Sequence, residues 1–356
     1  MNATTKIVFV AVAFGLMTPV FADSGECVPN AKSQREGEEY VKKAEAAEKA
    51  GRFRDAYVAT TKWGPCFYSD SAPEKRYYAL RRRAGIKLGE EAEGKGRFAE
   101  AYKYYDEALY GIAADRAQMK MATAKPGDFR TVQSVVHYLR STQEVLKRDV
   151  PSEMKSLSFD QARSLAAAHY HSKDDAYTLD PERIARLKAV SGYLGKLQMI
   201  ATKEGEKYLA DEDKIFVARK KSVTAKGDSL DELKKARDWF GLFAQEKRAN
   251  ERAVRRGDAL SADDSRRSLE LAVSYYQFAR NDAAEGKVRD KARRLGDAHL
   301  KKGEKKIAAD YYQLAGLGDK AAQLEEAHAA EKEKAEGKRQ EKFKKDQKSL
   351  EKELGL

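Results

Sequence analysis

One spacing of apolar residues recurs along this chain: an alanine, an aromatic residue four positions later, and a small or apolar residue three positions after that. The copies are Ala101/Tyr105/Ala108, Ala236/Phe240/Phe243, Ala272/Tyr276/Ala279 and Ala308/Tyr312/Ala315, and the last three are 36 residues apart. Offsets of four and seven residues place the three side chains on one face of a helix. A fixed period of this size predicts a helical repeat array, which is a scaffold rather than a catalytic architecture.

Residues 82–115 carry the repeat unit most completely. A Leu88-Gly89 pair supplies a small residue for a close helix crossing, Gly96 breaks the helix, and the Ala101/Tyr105/Ala108 triple follows. Residues 289–322 repeat this order with Leu295-Gly296, Gly303 and Ala308/Tyr312/Ala315, and residues 250–283 form a third copy with a longer turn at Ser261–Ser265. The pattern resembles the tetratricopeptide repeat family, although the proline that ends each unit in that family is missing here, and Lys320 occupies its position in the last unit. The resemblance implies a solenoid of stacked antiparallel helical hairpins.

The expected fold is therefore all-α, a tetratricopeptide-like α-solenoid with a charged C-terminal helix. Seven prolines in 356 residues, and no strongly alternating β-branched runs, favour helices throughout. We divide the chain into repeat-like hairpins at 23–115, irregular hairpins at 116–226, further repeat-like hairpins at 227–324, and a charged helical or disordered tail at 325–356. Whether the middle segment is a separate helical domain stays open.

Residues 1–22 have the composition of an export signal. Lys6 precedes an apolar run at 7–17 that is too short to span a bilayer, and Val20-Phe21-Ala22 fits a signal-peptidase site. We therefore expect an exported protein, periplasmic or secreted, that does not span the membrane after cleavage. An uncleaved anchor is the alternative.

Two cysteines, Cys27 and Cys66, are enough for one disulfide in an exported chain. A helix from about Ser33 to Ala50 and a second helix running back would bring Cys66 near the start of the first helix. We predict that the bridge joins the ends of this N-terminal hairpin, the alternative being two free thiols.

No motif in the sequence indicates catalysis, so we expect no catalytic residue, no cofactor and no metal ligand. The one histidine cluster, His169-Tyr170-His171, has its two imidazoles two residues apart. Side chains at that spacing face opposite sides of a helix and cannot share a metal ion. A nucleophile elbow, a phosphate-binding glycine loop and paired Cys/His spacings are all missing from the sequence.

The formal charge of +12 raises the question of a polyanionic partner. In the family that the repeats resemble, the first helix of each unit lines a concave groove. The candidate groove residues that this implies are Arg83, Glu90, Asp258, Arg293 and Asp297, so one unit position is acidic in three copies. A uniformly basic groove is not indicated. We expect a protein or peptide partner, with an anionic envelope polymer (peptidoglycan or lipopolysaccharide) as the alternative, and export disfavours nucleic acid.

The tail from Glu325 is dense in lysine and glutamate. Phe343, Leu350 and Leu354 fall at spacings of seven and four residues, which predicts one narrow apolar stripe on a helix. The stripe either packs back on the last repeat or is a docking motif for another protein.

Overall fold

The computed structural model describes residues 29–61, 66–69, 71–149, 181–221 and 228–354. These residues form thirteen α-helices and no strand. The helices are α1 (Ala31–Lys49), α2 (Phe53–Thr61), α3 (Ala72–Gly94), α4 (Phe98–Glu107), α5 (Gly111–Ala124), α6 (Phe129–Asp149), α7 (Pro181–Lys221), α8 (Ser229–Gly241), α9 (Lys247–Ser261), α10 (Arg266–Ala279), α11 (Asp282–Lys301), α12 (Lys305–Leu314) and α13 (Gly318–Leu354). They divide into two compact units, one up to Leu194 and one from Gly195 onward. The predicted all-α fold of packed neighbouring helices is confirmed.

The first unit contains the hairpins α1–α2 and α3–α4, then α5, α6 and the first part of α7. The Asn30 side chain begins α1 by accepting from the backbone N–H groups of Lys32 and Ser33, at 2.9 and 3.0 Å. Such a cap satisfies N–H groups that have no partner inside the helix. Gly51 and Gly96 follow the first helix of each hairpin with a φ of 71°. This left-handed conformation favours glycine and reverses the chain within a few residues.

The second unit contains the rest of α7 and helices α8 to α13. Asp228 caps α8, Ser265 caps α10 and Asn281 caps α11, each through its side chain. The long turn between α9 and α10 lies where the sequence predicts it. The region 230–322 thus consists of antiparallel helical hairpins with short connections.

Each recurring aromatic residue packs against a glycine of the preceding helix. A Cβ atom placed on Gly89 would lie 2.6 Å from Cδ1 of Tyr105, and one on Gly257 would lie 2.7 Å from Cε1 of Tyr276. Gly296 faces Tyr312 in the same way, with 3.0 Å to Cδ1. The three tyrosines and the three alanines that precede them by four residues are buried; these are Tyr105, Tyr276, Tyr312, Ala101, Ala272 and Ala308. At these three positions the aromatic ring therefore packs on a glycine of the preceding helix.

Phe243, the third member of the Ala236/Phe240/Phe243 copy, lies just beyond the end of α8. Helix α8 ends at Gly241 because Ala244 takes a left-handed conformation with φ 55°. The N–H of Gln245 then donates to the carbonyl of Phe240 at 3.0 Å. Phe243 therefore lies in the turn and is half-buried.

The same helix end recurs four residues after each aromatic residue of the set. Leu109, Arg280 and Gly316 also have positive φ, and the next N–H donates to the carbonyl of Tyr105, Tyr276 or Tyr312 at 2.8–2.9 Å. The third member of each predicted triple consequently lies at the helix end: Ala108 just after α4, Ala279 as the last residue of α10, and Ala315 just after α12. Ala108 is buried, and Ala279 and Ala315 are half-buried.

Helix α13 is long but contributes only its first turns to the second unit. Ala321 is buried in a cluster with Ala308, Ala309 and Tyr312 of α12. Every described side chain from 328 to 346 is exposed, including Phe343 at 70%. The tail is therefore helical, as one of the two predictions had it, and Phe343 does not pack on the last hairpin. The side chains of Leu350 and Leu354 lie outside the described part of the structure.

Candidate binding site

The acidic row predicted for the groove has an internal use at two of its three positions. The Asp258 carboxylate accepts a hydrogen bond from the Tyr276 hydroxyl at 2.7 Å, and Asp297 accepts one from Tyr312 at 2.6 Å. The bond from Tyr312, with help from Lys320, lowers the pKa of Asp297 below its usual range. These acids hold the tyrosine rings in place against the glycines of the preceding helix.

The remaining predicted groove residues form ion pairs on the surface. Arg83 donates through Nε and Nη2 to both carboxylate oxygens of Glu48, at 2.7 and 2.8 Å. Glu90 pairs with Lys87 at 2.8 Å, and Arg293 lies 3.7 Å from Asp290. All five predicted residues thus have partners within the chain, and a role for them in partner binding stays a prediction.

A buried acid links three helices of the first unit. Asp115 on α5 is fully buried, and Arg186 on α7 donates to it from Nε and Nη2, at 2.6 and 3.0 Å. Tyr138 on α6 donates to the same carboxylate at 3.0 Å. A Cβ atom on Gly111 would lie 2.8 Å from Nε of Arg186, so the guanidinium needs that glycine. Because every group here is paired, the cluster is a structural bridge rather than a ligand site.

A second acid of the first unit, Glu93 on α3, is engaged on all sides. Arg116 donates to its two oxygens at 2.9 and 2.8 Å, Lys120 lies 2.8 Å away, and the Tyr105 hydroxyl donates at 2.7 Å. These bonds, that of Arg116 above all, hold the pKa of Glu93 at about 2 against the opposing effect of burial. The carboxylate is therefore ionised at neutral pH and fully occupied by protein donors.

The second unit contains an open cavity of about 580 Å³ between α7, α8, α9 and α10. Its apolar wall is formed by Phe216, Ala259, Leu260, Ala262 and Leu271. Its polar lining consists of Arg219, Ser229, Asp263, Arg267, Ser268 and Tyr275. A concave site with apolar walls and a few polar groups has the composition of a site for a small ligand.

The floor of this cavity is held by contacts behind it. Glu212 is fully buried and accepts from Nε and Nη2 of Arg256 at 3.0 and 3.1 Å. The Arg256 guanidinium in turn lies 4.0 Å above the centre of the Phe216 ring. Across the cavity, the hydroxyls of Tyr275 and Ser229 bond to each other, and burial raises the pKa of Tyr275 to about 12.

Two arginines, Arg219 and Arg267, line the cavity. Arg219 and Arg267 make no ion pair with any residue that the structure describes, and Nε of Arg219 is buried without a hydrogen-bond partner. A smaller cavity of the first unit, of about 350 Å³, is lined by three arginines. Two of them are paired there, Arg52 with Asp55 at 3.2 Å and Arg97 with Glu100 at 2.9 Å, and Arg54 makes no ion pair with a described residue. The cavity of the second unit therefore offers unused cationic donors.

Comparisons with known proteins found no family for this chain. No protein-family model matches it, and no curated protein matches it. Across the described residues, no helix has the length and apolar character needed to span a bilayer, and no three His, Cys, Asp or Glu side chains are grouped to hold a metal ion.

Several predicted residues fall outside the part of the chain that the structure describes. These are the signal segment 1–22, Cys27 and the His169–His171 cluster. Cys66 is buried, and its carbonyl accepts a hydrogen bond from Gln34 in the first turn of α1 at 3.3 Å. Cys66 thus lies near the start of α1, as expected, and its pairing with Cys27 stays a prediction.

Sequence reasoning did not find the cavity. Phe216 and Arg219 belong to the segment 116–226, which matches the repeat pattern poorly, and Arg267 and Asp263 flank a turn. No spacing in the sequence relates these residues, because four separate helices bring them together.

Proposed function

We propose that the protein is an exported, non-catalytic helical-repeat scaffold that binds a protein partner in the cell envelope. Export rests on the signal-like segment 1–22, and membership of a tetratricopeptide-like family rests on the glycine–aromatic packing of the hairpins. The observation that carries partner binding is helix α13. Its first turns complete the last hairpin, whereas its described side chains from 328 to 346 are exposed and surround an exposed Phe343.

We call the exposed part of α13, residues 328–346, the arm. Its side chains indicate the kind of surface that it would bind. Between 338 and 345 the arm carries five Lys or Arg residues and one acid around Phe343. A large apolar side chain flanked by cations complements an apolar pocket with an acidic rim. An amphipathic helix presented in this way matches the helix-in-groove mode of recognition.

The test uses three full-length baits incubated with an extract of the cell envelope. They are the wild-type chain, Phe343→Ser, and Met199→Ser as a matched control, because Met199 is equally exposed at 72% on α7. We expect a protein retained in stoichiometric amount by the wild-type and Met199→Ser baits and lost from Phe343→Ser. Equal retention by all three baits would refute the arm as the binding element.

A second candidate function is binding of an anionic envelope polymer. It is favoured by a group of exposed cations on and beside α11 that make no ion pair with any described residue: Lys287, Arg294, Lys301, Lys302 and Lys306. Binding to lipopolysaccharide or peptidoglycan through these charges should weaken steeply with salt. Capture through Phe343 should persist at high salt, so repeating the assay at two salt concentrations separates the two functions.

A further inference from the structure

The cavity of the second unit is a site that the scaffold function does not use. Five of its lining side chains are apolar, and the remaining six are polar or charged. Cavities of roughly 300–1,000 Å³ take small organic ligands, and a volume of about 580 Å³ falls in that range. The apolar wall can pack against the hydrocarbon part of a ligand, whereas the polar side can bind one charged group of the same ligand.

The charges that line the cavity indicate the sign of the charge on the ligand's polar group. Arg219 and Arg267 are cationic and make no ion pair with any described residue, whereas Asp263 is the one acid among the described lining residues. Asp263 is already occupied: the Ser268 hydroxyl donates to it at 2.7 Å, and Ser265 donates its N–H and hydroxyl at 3.0 and 2.9 Å. These bonds hold the pKa of Asp263 at about 2.

The described lining residues therefore carry two positive charges and one negative charge at neutral pH, a net charge of +1. Arg252 and Arg256, behind the floor, do not add to this sum because they pair with the two acids Glu212 and Asp213. A ligand with a single negative charge would neutralise the described lining, whereas a dianionic phosphate would leave an excess of negative charge there. Guanidinium groups bind carboxylates through paired hydrogen bonds.

We infer that the cavity between α7, α8, α9 and α10 binds a small amphipathic monocarboxylate, with its carboxylate at Arg219 and Arg267 and its apolar body against Phe216, Leu260 and Leu271. This site is separate from the arm of α13, so its occupancy does not depend on whether the arm binds a protein. The chain would then combine a protein-binding scaffold with a receptor site for a small molecule.

Isothermal titration of the full-length protein with sodium octanoate tests the inference. 1-Octanol has the same eight-carbon chain without the charge, and inorganic phosphate is charged but has no hydrocarbon chain. We expect saturable one-to-one binding of octanoate and at least tenfold weaker binding of both comparison molecules. Equal binding of octanol would overturn the assignment of the arginines, and equal binding of phosphate would overturn the assignment of the apolar wall.

Variants identify the groups that bind. Arg267→Gln and Arg219→Gln should each weaken octanoate binding by about tenfold or more, because each removes a charge-assisted donor. Arg294→Gln is the matched control, since Arg294 is an exposed arginine of the same unit that makes no ion pair with a described residue and does not line the cavity. Arg267 is exposed, so its replacement should leave the circular dichroism spectrum and melting temperature unchanged. No heat of binding from octanoate, or equal affinity in all four proteins, would overturn the inference.

Discussion

The contact between Gly89 and Tyr105 predicts a large asymmetry between two glycines of the same helix. A Cβ atom on Gly89 would lie within 2.8 Å of ring atoms of Tyr105, whereas one on Gly94 would have no atom within 4 Å. Alanine in place of glycine should therefore clash at Gly89 and be accommodated freely at Gly94. Both glycines lie in α3, so the comparison varies the packing and keeps the helix the same.

The magnitude follows from how firmly the ring is held. Tyr105 is fully buried, and its hydroxyl is bonded to Glu93, so the ring cannot move away from an added methyl group. Overpacking of a core costs about 1–3 kcal/mol, and alanine recovers about 0.5–1 kcal/mol of helix propensity. We expect Gly89→Ala to destabilise the first unit by about 1–2 kcal/mol and Gly94→Ala to be neutral or slightly stabilising.

Thermal and urea unfolding of the full chain, followed by circular dichroism, measure both variants. A loss of this size should lower the melting temperature by about 2–8 °C, since each kcal/mol shifts a unit of this size by about 2–4 °C. With Tyr105→Leu in the background the clash is relieved, so Gly89→Ala should then cost much less. If Gly89→Ala is as stable as Gly94→Ala, the close approach of helix and ring is not real.

Three further changes test other parts of the structure. The pKa of Glu93 is about 2 in the folded chain and ordinarily 4.5, so its bonds should stabilise the first unit above about pH 4.5 and lose that effect as the pH falls toward 2. The contribution to the free energy of unfolding should be about 1–3 kcal/mol. Acid-unfolding curves of Glu93→Gln should lack this pH-dependent contribution. Arg186→Gln should cost about 3 kcal/mol or more because it leaves Asp115 buried without its cation, whereas Lys188→Gln, an exposed control on α7, should change the urea midpoint little. Arg280→Gly should raise the melting temperature, because glycine adopts the φ of 54° without the roughly 1 kcal/mol that a side chain costs there. Arg255→Gly should lower the melting temperature, because Arg255 lies inside α9, where glycine is unfavourable.

The packing of the hairpins could be predicted from the sequence because it depends on short spacings. Alanine and aromatic residues four positions apart share a helix face, and a glycine in the preceding helix makes room for the ring. One further signal was available: Ala201/Gly205, Ala253/Gly257 and Ala292/Gly296 repeat the same small-residue spacing. Gly205 indeed faces Phe240, with 2.6 Å from its added Cβ atom to Cε1, and would have linked α7 to α8.

The helix ends and the cavity could not be predicted in the same way. The left-handed ends after Tyr105, Phe240 and Tyr276 fall on leucine, alanine and arginine, which carry no signal for this conformation. The acidic row was visible, but its role was not, because only the structure shows the Tyr276 and Tyr312 hydroxyls bonded to Asp258 and Asp297. The cavity is lined by side chains from four helices, and no local sequence pattern predicts that these helices come together.

The tail of the chain separates a structural role from a binding role within one helix. The first turns of α13 cover the last hairpin through Ala321, which is 2% exposed against Tyr312 and Ala309. Farther along, the one described contact with the body is the exposed ion pair between Glu331 and Lys305. An exposed pair of this kind contributes about 0–1 kcal/mol.

Two truncations therefore have opposite expected outcomes. Removal of residues 333–356 takes away no described contact with the hairpins, so the melting temperature should stay within about 1 °C of the full chain. Removal of residues 318–356 uncovers the apolar face of α12, and terminal repeats that lose their cap expose a core surface. We expect that protein to melt several degrees lower or to aggregate. If the shorter truncation alone destabilises the second unit, then the arm around Phe343 is part of the fold, and it is not available for a partner.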